Sequence, residues 1–183
     1  MHNLRVCIDA NNYEGSKSLE LAKSNLVLIS KIDRVITYDN ETYEEVGNIP
    51  ITLLKTETRE PNEVIGMVAS ADEEMVAVIS GKNLVMDEQK QNQLFVFKKI
   101  KAPDIFSYDD FVLHKRIVVK DIPIFKQVSM QYHFKKAEKY DTIIFCKPDQ
   151  IFELNFETEE ITTIMKFDEP LTTQPKFFQS NLD

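Results

Sequence analysis

An all-β chain of short antiparallel strands grouped in sets of four is what this sequence predicts, and three observations carry that expectation. Helical periodicity is weak nearly everywhere, while short apolar runs are separated by clusters of Asn, Asp, Thr and Pro that read as turns. Glycine is scarce, at four residues among 183, so tight turns must be built from Asn, Asp and Pro, and these stand between the apolar runs. One stretch also has a copy. Leu26 to Thr42, LVLISKIDRVITYDNET, aligns without a gap on Thr142 to Thr158, TIIFCKPDQIFELNFET. Lys31 falls on Lys147, Asp33 on Asp149, Glu41 on Glu157 and Thr42 on Thr158, with apolar on apolar between them. Self-similarity at long spacing is the signature of a repeat architecture.

Taken in order, Leu4, Val6 and Ile8 alternate with polar residues, the two-residue period of a strand with one buried face. Ala10 to Gly15 reads as a connector. Ser16 to Ser24 suits either a capped helix or a strand. We take it as a strand, because so short a helix is marginal without strong packing. Strands follow at Leu26 to Ser30, Arg34 to Tyr38 and Tyr43 to Ile49, and Lys55 to Glu63 is an exposed link. A second set is expected at Val64 to Ser70, Met75 to Ser80, Leu94 to Ile100 and Phe111 to Lys120. Gly81 to Gln93 and Lys101 to Asp110 are its long connections. A third set runs Val128 to Phe134, Thr142 to Cys146, Gln150 to Asn155 and Glu160 to Phe167, and Lys176 to Ser180 opens a further one.

Four antiparallel strands per set, repeated, is the pattern of a propeller blade. The expected fold is therefore a partial β-propeller of three four-stranded blades, at about 19–56, 64–122 and 126–168, plus the first strand of a fourth at 176–183. The alternative is a β-sandwich-like array. Met67 to Ile79, MVASADEEMVAVI, resembles the junction of WD40-type repeats, where the innermost strand ends in Ser, an Asp-containing turn follows and an apolar second strand begins. Arg34 to Asp39, RVITYD, resembles their third strand, Tyr38-Asp39 standing where Trp-Asp would be. Phe97-Lys98 and Leu154-Asn155 stand where that pair would recur, and the chain has no tryptophan. The resemblance implies a protein-binding scaffold. Propellers close with about four to eight blades, so a chain with three implies a longer protein or a partner that completes the ring.

Composition narrows the function further. With 43% hydrophobic residues the chain can bury a sizeable core. A formal charge of -8 argues against nucleic acid as the main ligand, because that binding rests on neutralising phosphates. No stretch reaches the roughly 18 apolar residues of a membrane helix, the N-terminus does not read as a signal peptide, and Cys7 and Cys146 lie in separate apolar runs as buried free thiols. These features fit a cytoplasmic setting without a membrane partner.

Signatures of chemistry are few. His2, His114 and His133 stand apart from other metal-ligand residue types, so no metal or cofactor site is expected. Gly15-Ser16-Lys17-Ser18 lacks the earlier glycine of a phosphate loop. Asp72-Glu73-Glu74, Asp109-Asp110 and Glu159-Glu160 read as solvated turns, since acid-base work needs carboxylates converging on one pocket. No catalytic residue is assigned. From Lys98 to Lys139 basic residues outnumber acidic ones by about two to one. That excess suits either Lys-protected strand edges or a surface for an acidic protein partner. Partner binding concentrates in a few aromatic and Arg anchors, which selects Phe106, Tyr108, Lys115 and Arg116 as candidates. The competing readings are the propeller portion of an enzyme whose site lies partly outside this chain, and a structural subunit of a large assembly.

Overall fold

The structure is a computed structural model that describes residues 17–31, 34–51, 63–81, 92–103, 108–119, 132–136, 140–146 and 149–169. The strand expected at Leu4 to Ile8, the connector Ala10 to Gly15, Lys55 to Asn62 of the link, Lys82 to Gln91, and the opening strand at Lys176 to Ser180 lie outside the described residues, as do His2 and Cys7. Every described element is a strand. They are β1 (Ser18–Leu21), β2 (Leu26–Ser30), β3 (Arg34–Asp39), β4 (Glu45–Pro50), β5 (Glu63–Ala69), β6 (Met75–Gly81), β7 (Asn92–Ile100), β8 (Asp110–Val119), β9 (Tyr132–Lys136), β10 (Tyr140–Cys146), β11 (Gln150–Asn155) and β12 (Ile161–Lys166). Ser16 to Ser24 resolves as a strand over Ser18–Leu21, and β2 and β11 occupy the predicted spans.

The twelve strands make three open antiparallel sheets, β1-β2-β3-β4, β5-β6-β7-β8 and β9-β10-β11-β12, each in chain order. Sequential antiparallel hairpins produce this order, across short turns in the first sheet and across the longer β6–β7 and β7–β8 connections in the middle one. The copy seen in the sequence is a copy in register. Leu26 faces Asp39 and Ser30 faces Val35, while Thr142 faces Asn155 and Cys146 faces Ile151. The middle sheet follows the same scheme, with Met75 opposite Lys98 and Ile79 opposite Leu94. Tyr38-Asp39, Phe97-Lys98 and Leu154-Asn155 are therefore equivalent positions on the third strands, at the end of β3 and β11 and two residues before the end of β7.

The sheets stack face to face. Leu21, Leu26, Leu28, Val35, Ile49 and Ile51 of the first sheet bury against Val64, Val76, Val78, Phe95, Phe97 and Phe111 of the middle one. The opposite face of the middle sheet, with Met75, Ala77, Ile79, Leu94, Val96 and Ile117, buries against Ile143, Leu154 and Phe156 of the third. This explains a contrast in burial. Strand β2 alternates buried and half-buried residues, whereas every residue from Met75 to Ser80 is buried. A strand covered on both faces reads as a continuous apolar run, and one covered on a single face alternates. Phe95 and Phe97 stack with ring centroids 6.5 Å apart in the first of these cores, and burying each ring contributes about 1.5–3 kcal/mol. The first strands lie side by side, β1 against β5 and β5 against β9, and β4 approaches β8.

Candidate functional site

The alternating antiparallel order brings the β1–β2, β3–β4, β5–β6, β7–β8 and β11–β12 connections to one end of the stack. Two of these turns are built alike. Asp39 Oδ1 accepts the N–H groups of Glu41 at 2.8 Å and Thr42 at 2.7 Å. Asn155 Oδ1 accepts those of Glu157 at 2.8 Å and Thr158 at 3.0 Å. Each turn then places a non-glycine residue in the left-handed region, Tyr43 at φ 60° and Glu159 at φ 60°. Asp and Asn both suit this role, because a short side-chain oxygen reaches the backbone two residues on. The shared Glu-Thr pair is thus explained by the backbone it serves.

The middle sheet's turn does something different. Ser70 caps it, with Met75 N–H donating to Ser70 Oγ at 3.0 Å and Ser70 Oγ–H donating to Asp72 Oδ1 at 2.7 Å. Glu73 follows at φ 61° and is buried. The sequence reads Asp72-Glu73-Glu74 as a solvated turn, and for Glu73 the structure corrects that reading. Its carboxylate reaches into the first sheet, where Oε1 accepts Lys23 N–H at 2.8 Å. Oε2 accepts Ser24 N–H at 2.8 Å and Ser24 Oγ–H at 2.7 Å. Lys99, from the end of β7, donates from Nζ to the same Ser24 Oγ at 2.8 Å and lies 3.5 Å from Asp109 Oδ2. Lys23 Nζ returns a bond to the Ala71 carbonyl at 2.7 Å. Backbone amides held by a carboxylate, with an ammonium alongside, satisfy polar groups that the junction of two sheets would otherwise strand.

A second tie joins the same two sheets. The Tyr108 phenol lies close enough to Asp39 for the two to shift each other's titration. The Thr42 N–H, together with the Glu41 N–H, the Thr42 hydroxyl and Tyr108, holds the Asp39 carboxyl below the usual range against an opposing effect of burial. Partial desolvation and then the Asp39 charge push the Tyr108 phenol up. Lys115 ties the other pair of sheets, its Nζ 3.0 Å from Glu159 Oε1 at the β11–β12 turn. Arg116 lies over the Phe95 ring, 5.6 Å from its centroid, and donates from Nε to Gln93 Oε1 at 3.1 Å.

Of the four candidates named from sequence, then, Tyr108 and Lys115 bridge sheets, Arg116 packs within the middle sheet, and Phe106 lies outside the described residues. Reasoning from sequence missed Glu73, Lys99 and Asp39. The Asp39–Asn155 equivalence marks Asp39 as a turn residue, but no local signal marks Glu73 or Lys99, whose partners are far away in sequence. His114 is exposed on β8. Among the described residues no group of three or more His, Cys, Asp and Glu is placed to hold a metal ion. No helix long and apolar enough to cross a membrane occurs among them.

Around this buried network the turns present Tyr43, Glu41, Glu44, Lys101, Glu157 and Tyr108 to solvent. The end of the stack is a set of loop tips, carrying both signs of charge and two exposed tyrosines, held on a hydrogen-bonded base. Such an arrangement suits recognition of another macromolecule's surface, since rigid aromatic side chains on fixed loops lose little entropy on binding. No model of a known protein family matches this chain, and no curated protein matches it.

Proposed function

We propose that this chain is a propeller-type scaffold that binds other proteins through the turn end of its sheets, in the cytoplasm and without catalysis of its own. One observation carries the reading: three equivalent four-stranded sheets stack front to back with their first strands adjacent, and cross-sheet hydrogen bonds fix the turns at one end. In a propeller, blades are arranged radially around their innermost strands, and the order β1, β5, β9 along the stack suits that geometry. The WD40-type resemblance of Met67 to Ile79 and Arg34 to Asp39 agrees with it, because Ser70 directly follows one first strand and Asp39 ends one third strand.

Exposed Tyr43, Tyr108 and Lys101 provide the contact surface. Lys99 and Lys115 engage Asp109 and Glu159, so an acidic partner would meet Lys101 and Lys98, both exposed, more readily than those two. Affinity capture with the immobilised chain tests the proposal. Partners recovered by the unaltered chain should be lost with Tyr43→Ala combined with Lys101→Glu. An identical set of captured proteins, or none in either case, would remove the turn end as the binding surface.

A further inference from the structure

The third sheet copies the first, yet the two use opposite faces to pack on the middle one. Let the front of a sheet be the face turned toward the next sheet in chain order, and the back the face turned toward the one before. Register makes Leu28, Ala77 and Ile144 equivalent front positions, and Val27, Val76 and Ile143 equivalent back positions. Burial follows the neighbour. On the front, Leu28 and Ala77 are buried but Ile144 is half-buried. Two strands further out, the equivalent residues Ile49 and Ile117 are 1% and 2% exposed, whereas Met165 is 50% exposed. On the back, Val76 and Ile143 are fully buried and Val27 is half-buried; Phe97 and Leu154 are buried and Tyr38 is half-buried. The back of the first sheet and the front of the third thus keep apolar side chains at positions of mated faces, Ile144, Ile151 and Met165 on the third sheet's front beside Thr142 and Glu153, without a further sheet against them among the described residues.

We propose that these two faces mate with each other between two copies of the chain, the third sheet's front of one seating on the first sheet's back of the other. The occupant follows from the repeat. Inside one chain, the first sheet's front already packs on a back, and the third sheet's back already packs on a front. The two faces without a sheet against them among the described residues are the register-matched copies of those surfaces, so one molecule carries both halves of an interface it already makes twice. A head-to-tail contact of this kind closes into a ring if the rotation per copy allows and otherwise runs into an open filament. Two copies bring six sheets, within the roughly four to eight that close a propeller. The closed form rests on the propeller reading above, whereas the face-to-face contact does not. Each copy carries a formal charge of -8, so screening by salt should favour association, the opposite of its effect on binding between opposite charges.

Sedimentation velocity and light scattering on the full chain, at low and high salt, test the proposal. The expected result is a species of twice the chain mass whose fraction rises with salt. Ile36→Lys on the first sheet's back and Met165→Glu on the third sheet's front should each weaken association at least tenfold. Mixing the two variants should restore it, since one interface in the mixed pair is unaltered and the other sets Lys against Glu. Thr162→Glu, on the exposed third-sheet edge, is a second front-face variant should Met165→Glu unfold, and circular dichroism reports folding of each. Leu113→Glu, exposed on β8 away from both faces, should leave association unchanged. A chain that remains monomeric at high concentration and salt overturns the proposal, as does a dimer that survives both face variants. Filaments abolished by either variant support the contact and remove the closed ring.

Discussion

Glu73 is where one side chain holds two sheets together, and its replacement provides a sharp test of that arrangement. Its carboxylate accepts three hydrogen bonds from Lys23 and Ser24 of the neighbouring sheet. Bonds to a charged acceptor contribute about 1.5–3 kcal/mol each. These are partly buried, and Ser24 Oγ keeps Lys99 as a partner, so the lower end of that range applies and not every bond counts in full. Glu73→Ala should therefore cost about 3 kcal/mol. Glu73→Gly removes the same carboxylate but releases the left-handed backbone at φ 61°, which costs a non-glycine residue about 1–2 kcal/mol. Part of that gain is lost to the extra freedom of glycine in the unfolded chain. The glycine variant should thus be the more stable of the two, at a cost nearer 2 kcal/mol. Glu73→Gln keeps one acceptor oxygen and turns its amide against a donor, for the smallest cost of the three, about 1.5 kcal/mol. Urea unfolding followed by circular dichroism reads these differences, and tyrosine fluorescence provides a second probe in a chain without tryptophan. With a slope of about 2 kcal/mol per molar urea the alanine midpoint should fall by about 1.5 M. Alanine and glycine variants that both unfold within about 0.25 M of the unaltered chain would refute the role of the carboxylate. An alanine variant more stable than the glycine one would refute the strain.

Other substitutions probe separate parts of the structure. Asp39→Asn converts the β3–β4 turn to the chemistry of its Asn155 counterpart and should cost no more than about 1 kcal/mol at neutral pH, the difference between a charged and a neutral acceptor. Because the Asp39 carboxyl is held below its usual range, its contribution is present above the unfolded value near pH 3.9 and is lost as pH falls through the folded one. The urea midpoint of the unaltered chain should therefore drop more steeply below about pH 4 than that of Asp39→Asn. At Gly47, an added Cβ would meet Thr37 Cβ at an ordinary 4.0 Å, so Gly47→Ala should stabilise the β4 strand by about 0.5 kcal/mol, read as a higher melting temperature. Lys115→Met should cost less than about 1 kcal/mol, because the ion pair to Glu159 is partly solvated; a larger loss would mean the third sheet depends on that single tie.

The sequence reveals the parts of this fold that are local and conceals those that are not. Strand β2 is legible because Leu26 to Ile29 is a short apolar run closed by turn residues, and β11 because its copy is visible at a constant offset. The Asp39 and Asn155 turns are legible for the same reason, since their bonds close within three residues. The run from Met75 to Ile79 marks β6 as a strand in the same way, but Leu26 to Ile29 is equally unbroken, so the double-sided burial of the middle sheet leaves no separate trace. Glu73 leaves none either. In sequence it is one acid among three in a turn, and only the approach of a turn about fifty residues away makes it an acceptor for two amides. Lys115 and Arg116 mislead in the opposite direction: adjacent cations suggest a surface patch, but alternation along β8 sends one to Glu159 and the other over Phe95.

The middle sheet belongs to both cores, and this has a consequence for how the molecule opens. The first and third sheets can each peel away at the loss of one apolar contact face, leaving the other core whole. Strands β6 and β7 can be released only when both cores have been given up. Amide exchange should accordingly divide the chain into a slow centre at Met75 to Ile79 and Leu94 to Phe97 and two faster flanks, each flank reporting its own opening. Conditions that erode one flank first would expose one face of the centre while its other face stays sealed.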